Sequence, residues 1–236
     1  MIDTHCHILP GLDDGPADLE TSLAMARIAE RDGIRVIIAT PHADPEDEAL
    51  TPDIIRARTA ELNEALRREG IGVTILPGAE NQLHLTLVEE LKAGKVMTLA
   101  DRGAHVLIEL PFNGYPNYVA DLFFKVQLLG VTPVLAHPER AILGRSDPAL
   151  IEGLAQRGAM LQLNVDSLLG NDGKLVRNLA QRLIREGFAH TVASDAHDPK
   201  RRRPILSPLR KALRRVGGDE AFRRLTEENP GKIAGV

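Results

Sequence analysis

The chain has 236 residues, 43% of them apolar and 20 of them glycine, an ordinary globular composition at a length that one α/β domain often uses. Its formal charge is −4, from 29 Lys and Arg against 33 Asp and Glu, and aromatic residues make up 3% with no Trp. That balance argues against a nucleic-acid binder, which needs a basic surface and stacking platforms. One cysteine rules out a disulfide framework or a multi-Cys metal site, and no apolar run approaches the roughly 18 residues of a membrane span.

The opening Met1-Ile2-Asp3 lacks the basic and apolar segments of a secretory signal, so a cytoplasmic protein is expected. In chain order, the β-branched and aliphatic runs predict strands at Met1–His5, Ile34–Thr40, Gly72–Leu76, Ala104–Leu110, Thr132–Ala136, Met160–Asn164 and Ala189–Ser194. Helical patterns fall between them, near 18–32, 52–69, 85–94, 117–129, 148–157 and 174–186, with two more near 207–215 and 219–228. Thr51-Pro52 and Asp147-Pro148 put a capping residue before a proline at the first helical position. In the second helix Ile55, Thr59, Leu62 and Leu66 share one face. Strands that are continuously apolar, as in Val36-Ile37-Ile38-Ala39, suit a parallel sheet covered on both faces.

Strict β–α alternation over the whole chain predicts one parallel α/β domain spanning residues 1–236, as a closed barrel or a doubly wound sheet. No Gly-x-Gly-x-x-Gly and no P-loop follow the first strand, so nucleotide-binding versions have no support.

Polar residues recur where the strands end. His5 and His7 end the first strand, His42 follows the second and Glu80 the third. Glu109 lies in the last residues of the fourth, His137 follows the fifth, Asn164 ends the sixth, and Asp195 and His197 end the seventh. In α/β barrels these ends converge on the face where active sites are built. Imidazole plus carboxylate without thiolate suits Zn, Mn or Fe. On extended backbone, residues i and i+2 face the same way, so His5-Cys6-His7 and Asp195-Ala196-His197 can each aim two side chains at one ion. Core histidines satisfied by carbonyls would leave the carboxylates unexplained.

Other residues read more plainly. Asp13-Asp14-Gly15-Pro16 has the composition of a turn with a helix cap. Cys6 points away from its flanking histidines and reads as packing, while His84, His105 and His190 lie off the strand-end pattern and read as structural or surface residues. The run Lys200-Arg201-Arg202-Arg203 begins three residues after His197, and Arg140 lies three after His137. A guanidinium fork matches phosphate oxygens, which makes Arg140 and Arg203 candidates to grip a phosphate.

Met1-Ile2-Asp3-Thr4-His5-Cys6-His7 with Asp13-Asp14-Gly15-Pro16 resembles the start of the polymerase-and-histidinol-phosphatase (PHP) superfamily. The closer resemblance is to the bacterial metal-dependent tyrosine phosphatases of capsule and exopolysaccharide operons. Thr40-Pro41-His42, Gly78-Ala79-Glu80, His137-Pro138-Glu139-Arg140, Gln162-Leu163-Asn164 and Ser194-Asp195-Ala196-His197 continue it in order along nearly the whole chain. The resemblance implies a distorted seven-stranded (β/α) barrel with two to three divalent ions. His5, His7, Glu80 and Asp195 would hold one ion. Glu80, Glu109 and His137 would hold a second, and Asp14, His42 and His197 a third. Arg140 and Arg203 would contact the substrate phosphate, although the family's Arg-Pro-Pro reads Arg203-Pro204-Ile205 here.

The implied reaction is hydrolysis of phosphotyrosine on a protein, namely the tail of an autophosphorylated bacterial tyrosine kinase. On that reading the ions would supply a water deprotonated near neutral pH for in-line attack on phosphorus. Asp14, His42 and His197 are the candidates for protonating the leaving group. The rival readings are a histidinol-phosphate or other small-molecule phosphatase on the same fold, an amidohydrolase, and a non-catalytic metal-containing interaction module. The sequence leaves the oligomeric state open.

Overall fold

Proline and glycine decide where the strands of this chain break. In the computed structural model, which describes residues 1–44, 50–111, 116–141 and 147–236, β1 (Ile2–Cys6) is followed by α1 (Leu19–Asp32) and β2 (Val36–Ala39). Pro41 has no N–H to give to a ladder, and pairing resumes one residue later as the short β3 (His42–Ala43). The next strand breaks the same way into β4 (Thr74–Pro77) and β5 (Glu80–Gln82), after α2 (Pro52–Arg68). At the break, a Cβ on Gly78 would stand 2.7 Å from Ile38 Cγ2 and 3.0 Å from the Ala39 carbonyl oxygen, so only glycine lets the strands approach.

The rest alternates regularly. α3 (Leu87–Lys92) leads to β6 (His105–Glu109), α4 (Val119–Leu128) to β7 (Thr132–Ala136), and α5 (Pro148–Gln156) to β8 (Met160–Asn164). The short α6 (Val165–Leu169) and α7 (Lys174–Arg185) precede β9 (Ala189–Ala193). The chain ends in α8 (Leu209–Ala212), α9 (Gly218–Arg223) and α10 (Asn229–Ala234).

All named strand pairs are parallel, in a three-stranded sheet ordered β1-β2-β4 and a six-stranded sheet ordered β3-β5-β6-β7-β8-β9. Of the expected seven-stranded barrel, the described residues show the parallel α/β architecture, with the ladders falling into two sheets. Backbone contacts still join the ends of the two. Asp195 N–H donates to the His5 carbonyl at 2.9 Å and His7 N–H to the Ala196 carbonyl at 2.8 Å, around a bridge between Cys6 and Ala196.

The helix boundaries follow the signals in the sequence. The Asp18 side chain accepts from Thr21 N–H to start α1, and Gly33, at φ 93°, ends it in a left-handed turn. Thr51 caps α2 by accepting from Ile54 N–H. Asp147 precedes Pro148 as expected, but its side chain makes no capping bond. The predicted face Ile55, Thr59, Leu62 and Leu66 is buried. Ile233 and Ala234 of α10 complete an apolar cluster with Ile38, Leu107, Val134 and Ala136, apart from the larger core under the other helices.

Candidate metal centre

His42 and Glu80 are direct partners in the β3–β5 ladder, and Gln82 pairs with Glu109 across β5–β6. The broken strands therefore deliver these side chains side by side. The turns after β7 and β9 hold His137 at φ 29° and Asp195 at φ 51°, a left-handed backbone that costs non-glycine residues free energy.

Donor atoms from eight of the nine expected ligands converge on Glu80 and its neighbours. The Nε2 atoms of His5 and His7 face each other at 3.1 Å. Glu80 Oε2 lies 3.4 Å from His5 Nε2, 3.5 Å from His7 Nε2 and 3.0 Å from His42 Nδ1, while Asp195 Oδ1 lies 3.5 Å from both His5 and His7 Nε2. His137 Nε2 stands 2.9 Å from Glu80 Oε1 and 3.7 Å from Glu109 Oε1. The ninth, Asp14, is more open: Oδ1 is 3.2 Å from His197 Nε2 and 3.6 Å from His42 Nε2, with the side chain 63% exposed.

Four sets of donors lie close enough to share an ion: His7 with Asp14, His42 and His197; His5 with His7 and Glu80; His5 with His137 and Asp195; and His42 with Glu80 and Glu109. The last two regroup the expected sets, because His42 joins Glu80 and Glu109, and His137 joins Asp195. Donors roughly 2.1 Å from a common ion sit about 3.0–3.4 Å from one another, close to the spacing of several of these pairs. Two buried atoms of the cluster, Glu80 Oε2 and His197 Nε2, have no hydrogen-bond partner, although polar atoms surround them. Orphaned acceptors at cation-sharing distances are what a metal centre requires. The donor set fits divalent ions.

Charge coupling runs through the cluster. Burial disfavours a charged His137, yet the Glu80 carboxylate outweighs it and lifts its pKa to about 9. Burial opposes a charged His7 too, and the carboxylates of Asp13, Asp195 and Glu80 hold its pKa well above the ordinary value. His197 goes the other way, down to about 4, through burial and then the charges of His7 and Arg202. Burial and the neighbouring Glu80 push Glu109 up, while surrounding histidines overcome burial and hold Glu80 far down.

Three residues at the centre escaped the sequence reading. Asp13 accepts from His7 Nδ1 at 2.6 Å. Gln162 gives its Nε2 to the Leu163 carbonyl, which leaves Oε1 for His5 Nδ1 at 2.7 Å. Arg202 Nη2 meets Asp195 Oδ2 at 2.6 Å, as does Arg140 Nη1. Arg203, the expected phosphate contact, is exposed and makes no ion pair with the described residues, whereas its neighbour Arg202 turns inward onto Asp195. Asn164 Nδ2 also donates to Asp195 Oδ2, at 2.9 Å. His84 pairs with Glu90, and His190 accepts from Leu161 N–H; neither joins the four donor sets, nor does His105.

A family model for capsular polysaccharide synthesis, CpsB/CapC, matches residues 1–234. The chain belongs to the CpsB/CapC family. Tyrosine-protein phosphatase YwqE of Bacillus subtilis (strain 168) is 40% identical over 227 residues, covering 96% of this chain and 89% of that relative. A putative tyrosine-protein phosphatase CapC of Staphylococcus aureus is 31% identical over 211 residues, 89% of this chain and 82% of that one. A solved structure from work on YwqE of Bacillus subtilis and CpsB of Streptococcus pneumoniae, metal-dependent tyrosine phosphatases, superimposes with a TM-score of 0.93 at 38% identity, covering 99% of this chain and 94% of the other. A lactonase from Listeria monocytogenes, 11% identical with a TM-score of 0.63, shares the fold alone. CpsB/CapC membership bears out the resemblance read from the motifs. No helix of the described residues is long and apolar enough to cross a membrane.

Proposed function

We propose that this chain is a metal-dependent phosphatase that hydrolyses phosphotyrosine on proteins. The observation that carries the reading is the convergence of Arg140 and Arg202 on Asp195, at the edge of a buried imidazole–carboxylate cluster. Two guanidinium forks beside a cation centre make a receptor for a phosphoryl group. The relatives' phosphatase names, and the metal dependence of YwqE and CpsB, support it.

Bound there, two to three divalent ions (Mn, Zn or Fe) would supply a water deprotonated near neutral pH and positive charge for the phosphoryl oxygens. His5, His7, Glu80 and Asp195 would form the heart of the centre, with His137 and Glu109 on one side and Asp14, His42 and His197 on the other. Arg140 and Arg202 orient the phosphate in line and neutralise its oxygens as charge develops. The leaving phenolate, with an ordinary pKa near ~10, needs little protonation to depart. His197, held neutral at pH 7, is a poor proton donor for it.

We take residues 1–236 as one domain whose two sheets enclose the centre as a distorted barrel. The substrate we assign is the phosphorylated tail of a bacterial tyrosine kinase in the cytoplasm. The test is phosphate release from a phosphotyrosine peptide and from histidinol phosphate, before chelation, after it, and after reloading with Mn, Zn or Fe. Chelator-sensitive turnover that favours the peptide supports the reading. Preference for histidinol phosphate moves the enzyme to small-molecule chemistry, and metal uptake without turnover on either substrate makes the chain an interaction module.

A further inference from the structure

Asp13 was expected as a turn residue or helix cap; it makes the turn bond to Gly15 N–H, but the cap of α1 is Asp18 and the Asp13 side chain is 5% exposed. Its two carboxylate oxygens have three partners. Oδ2 accepts from His7 Nδ1 at 2.6 Å and from the backbone N–H of His42 at 3.1 Å. Oδ1 accepts from the backbone N–H of Gly15 at 2.9 Å. Those contacts reach the ring of one member of the His7, Asp14, His42 and His197 set, the backbone of another, and the turn that carries a third.

We propose that Asp13 is the positioning residue of this donor set. A carboxylate only accepts, so Asp13 holds a proton on His7 Nδ1 and leaves Nε2 as the nitrogen that faces the cluster and would take an ion. The same carboxylate fixes the height of the Asp14 turn against β3. Space around the turn is tight: a Cβ on Gly15 would lie 2.6 Å from the His7 carbonyl oxygen and 2.9 Å from Asp13 Oδ1. Asp13 thus sets in place, before any ion arrives, the outermost of the four donor sets, the one that includes the exposed Asp14. This inference rests on the metal-centre reading above and goes one layer beyond its ligands.

Asp13→Asn and Asp13→Ser test it in the full chain. The amide sets an N–H₂ against either His7 Nδ1 or Gly15 N–H and cannot serve both. Serine keeps an oxygen for the Gly15 turn but stops short of His7. Chelator-stripped proteins are equilibrated with Co²⁺ at a free concentration that just saturates the wild type, and bound cobalt is counted by elemental analysis. Outer-shell carboxylates of this kind carry about 10–100-fold in metal affinity. The expected result is therefore one equivalent fewer in both variants with the remainder retained. An unchanged count in the serine variant overturns the proposal, as does loss of every equivalent, which would make Asp13 part of the scaffold. A wild type that binds no cobalt overturns the metal centre itself, so the two failures are told apart.

Discussion

The Nε2 atoms of His5 and His7 face each other at 3.1 Å, in the core of the molecule, with both rings fully buried. Gln162 and Asp13 take the opposite nitrogen of each ring, so one proton of each ring is committed away from the contact. Without a metal, a proton on His7 Nε2, favoured by the carboxylates around that ring, bridges the contact; a divalent cation held by both Nε2 atoms would take that proton's place. A ligand that binds only the folded state stabilises it by about 2.7 kcal/mol at a hundredfold excess over its dissociation constant. For a chain of this size that corresponds to a rise of roughly 5–10 °C in Tm. Thermal melts with chelator and with added Mn²⁺ or Zn²⁺ should differ by this much. Coincident melts at saturating metal would remove the ion from the centre.

Arg140 and Arg202 both contact Asp195 Oδ2 at 2.6 Å, and Arg203 does not reach it. A hydrogen bond to a charged partner contributes about 1.5–3 kcal/mol, or roughly 10–150-fold in rate when it forms in the transition state. Arg140→Ala and Arg202→Ala should each lower kcat/KM on a phosphotyrosine peptide by that range, while Arg203→Ala stays within about threefold. Steady-state kinetics on the three variants decide which arginine of the run grips phosphate. A large loss at Arg203 with none at Arg202 would restore the assignment read from the sequence.

The clustered donors were legible because strand ends are visible in the sequence: an apolar run stops, and the next polar residue is committed to one end of the sheet. His5, Glu109 and Asp195 needed nothing more. The breaks at Pro41 and Gly78 were harder, since a proline or glycine after a strand reads equally as its end or as an interruption. The choice among three adjacent arginines was not legible at all. Residues Lys200 to Arg202 fold back on Asp198, which accepts their three backbone N–H groups, and that turn decides which guanidinium faces inward. Asp13 and Gln162 were hidden for another reason. They act on imidazole nitrogens through tertiary contacts with partners 6 and 157 residues away, and such contacts leave no periodic trace.

Asp3 gives a pH signature separate from catalysis. It is fully buried, takes the Ser194 hydroxyl at 2.5 Å and the Ser194 N–H at 2.9 Å, and has its pKa pushed by burial from 3.8 up to about 6. A carboxyl raised in the folded state contributes its full stability below the unfolded pKa and loses it as pH rises through the folded one. The whole swing is about 3 kcal/mol, of which roughly 1.4 kcal/mol falls between pH 5 and 7.5. Asp3→Asn abolishes the titration and keeps an acceptor for Ser194 N–H. In denaturant unfolding of chelator-treated protein, the variant should therefore gain on the wild type by about that amount as pH rises from 5 to 7.5. A constant difference between the two proteins would show that Asp3 does not titrate in this window.

Cys6 lies between the two facing histidines, and an alternative chemistry would make its thiol the nucleophile. The structure argues against this. The side chain is fully buried, Sγ sits 3.8 Å from the Ala196 carbonyl oxygen, and burial with Asp3 nearby pushes the thiol pKa well above its ordinary value. A thiol held protonated is a poor nucleophile and reacts slowly with alkylating agents. Cys6→Ala removes one packed sulfur atom, at a cost of about 1 kcal/mol in stability, and should leave kcat/KM within about threefold. Native protein should resist N-ethylmaleimide until it is unfolded. A collapse of turnover in Cys6→Ala that leaves bound metal and Tm unchanged would return the thiol to the mechanism and displace the ions from the centre of it.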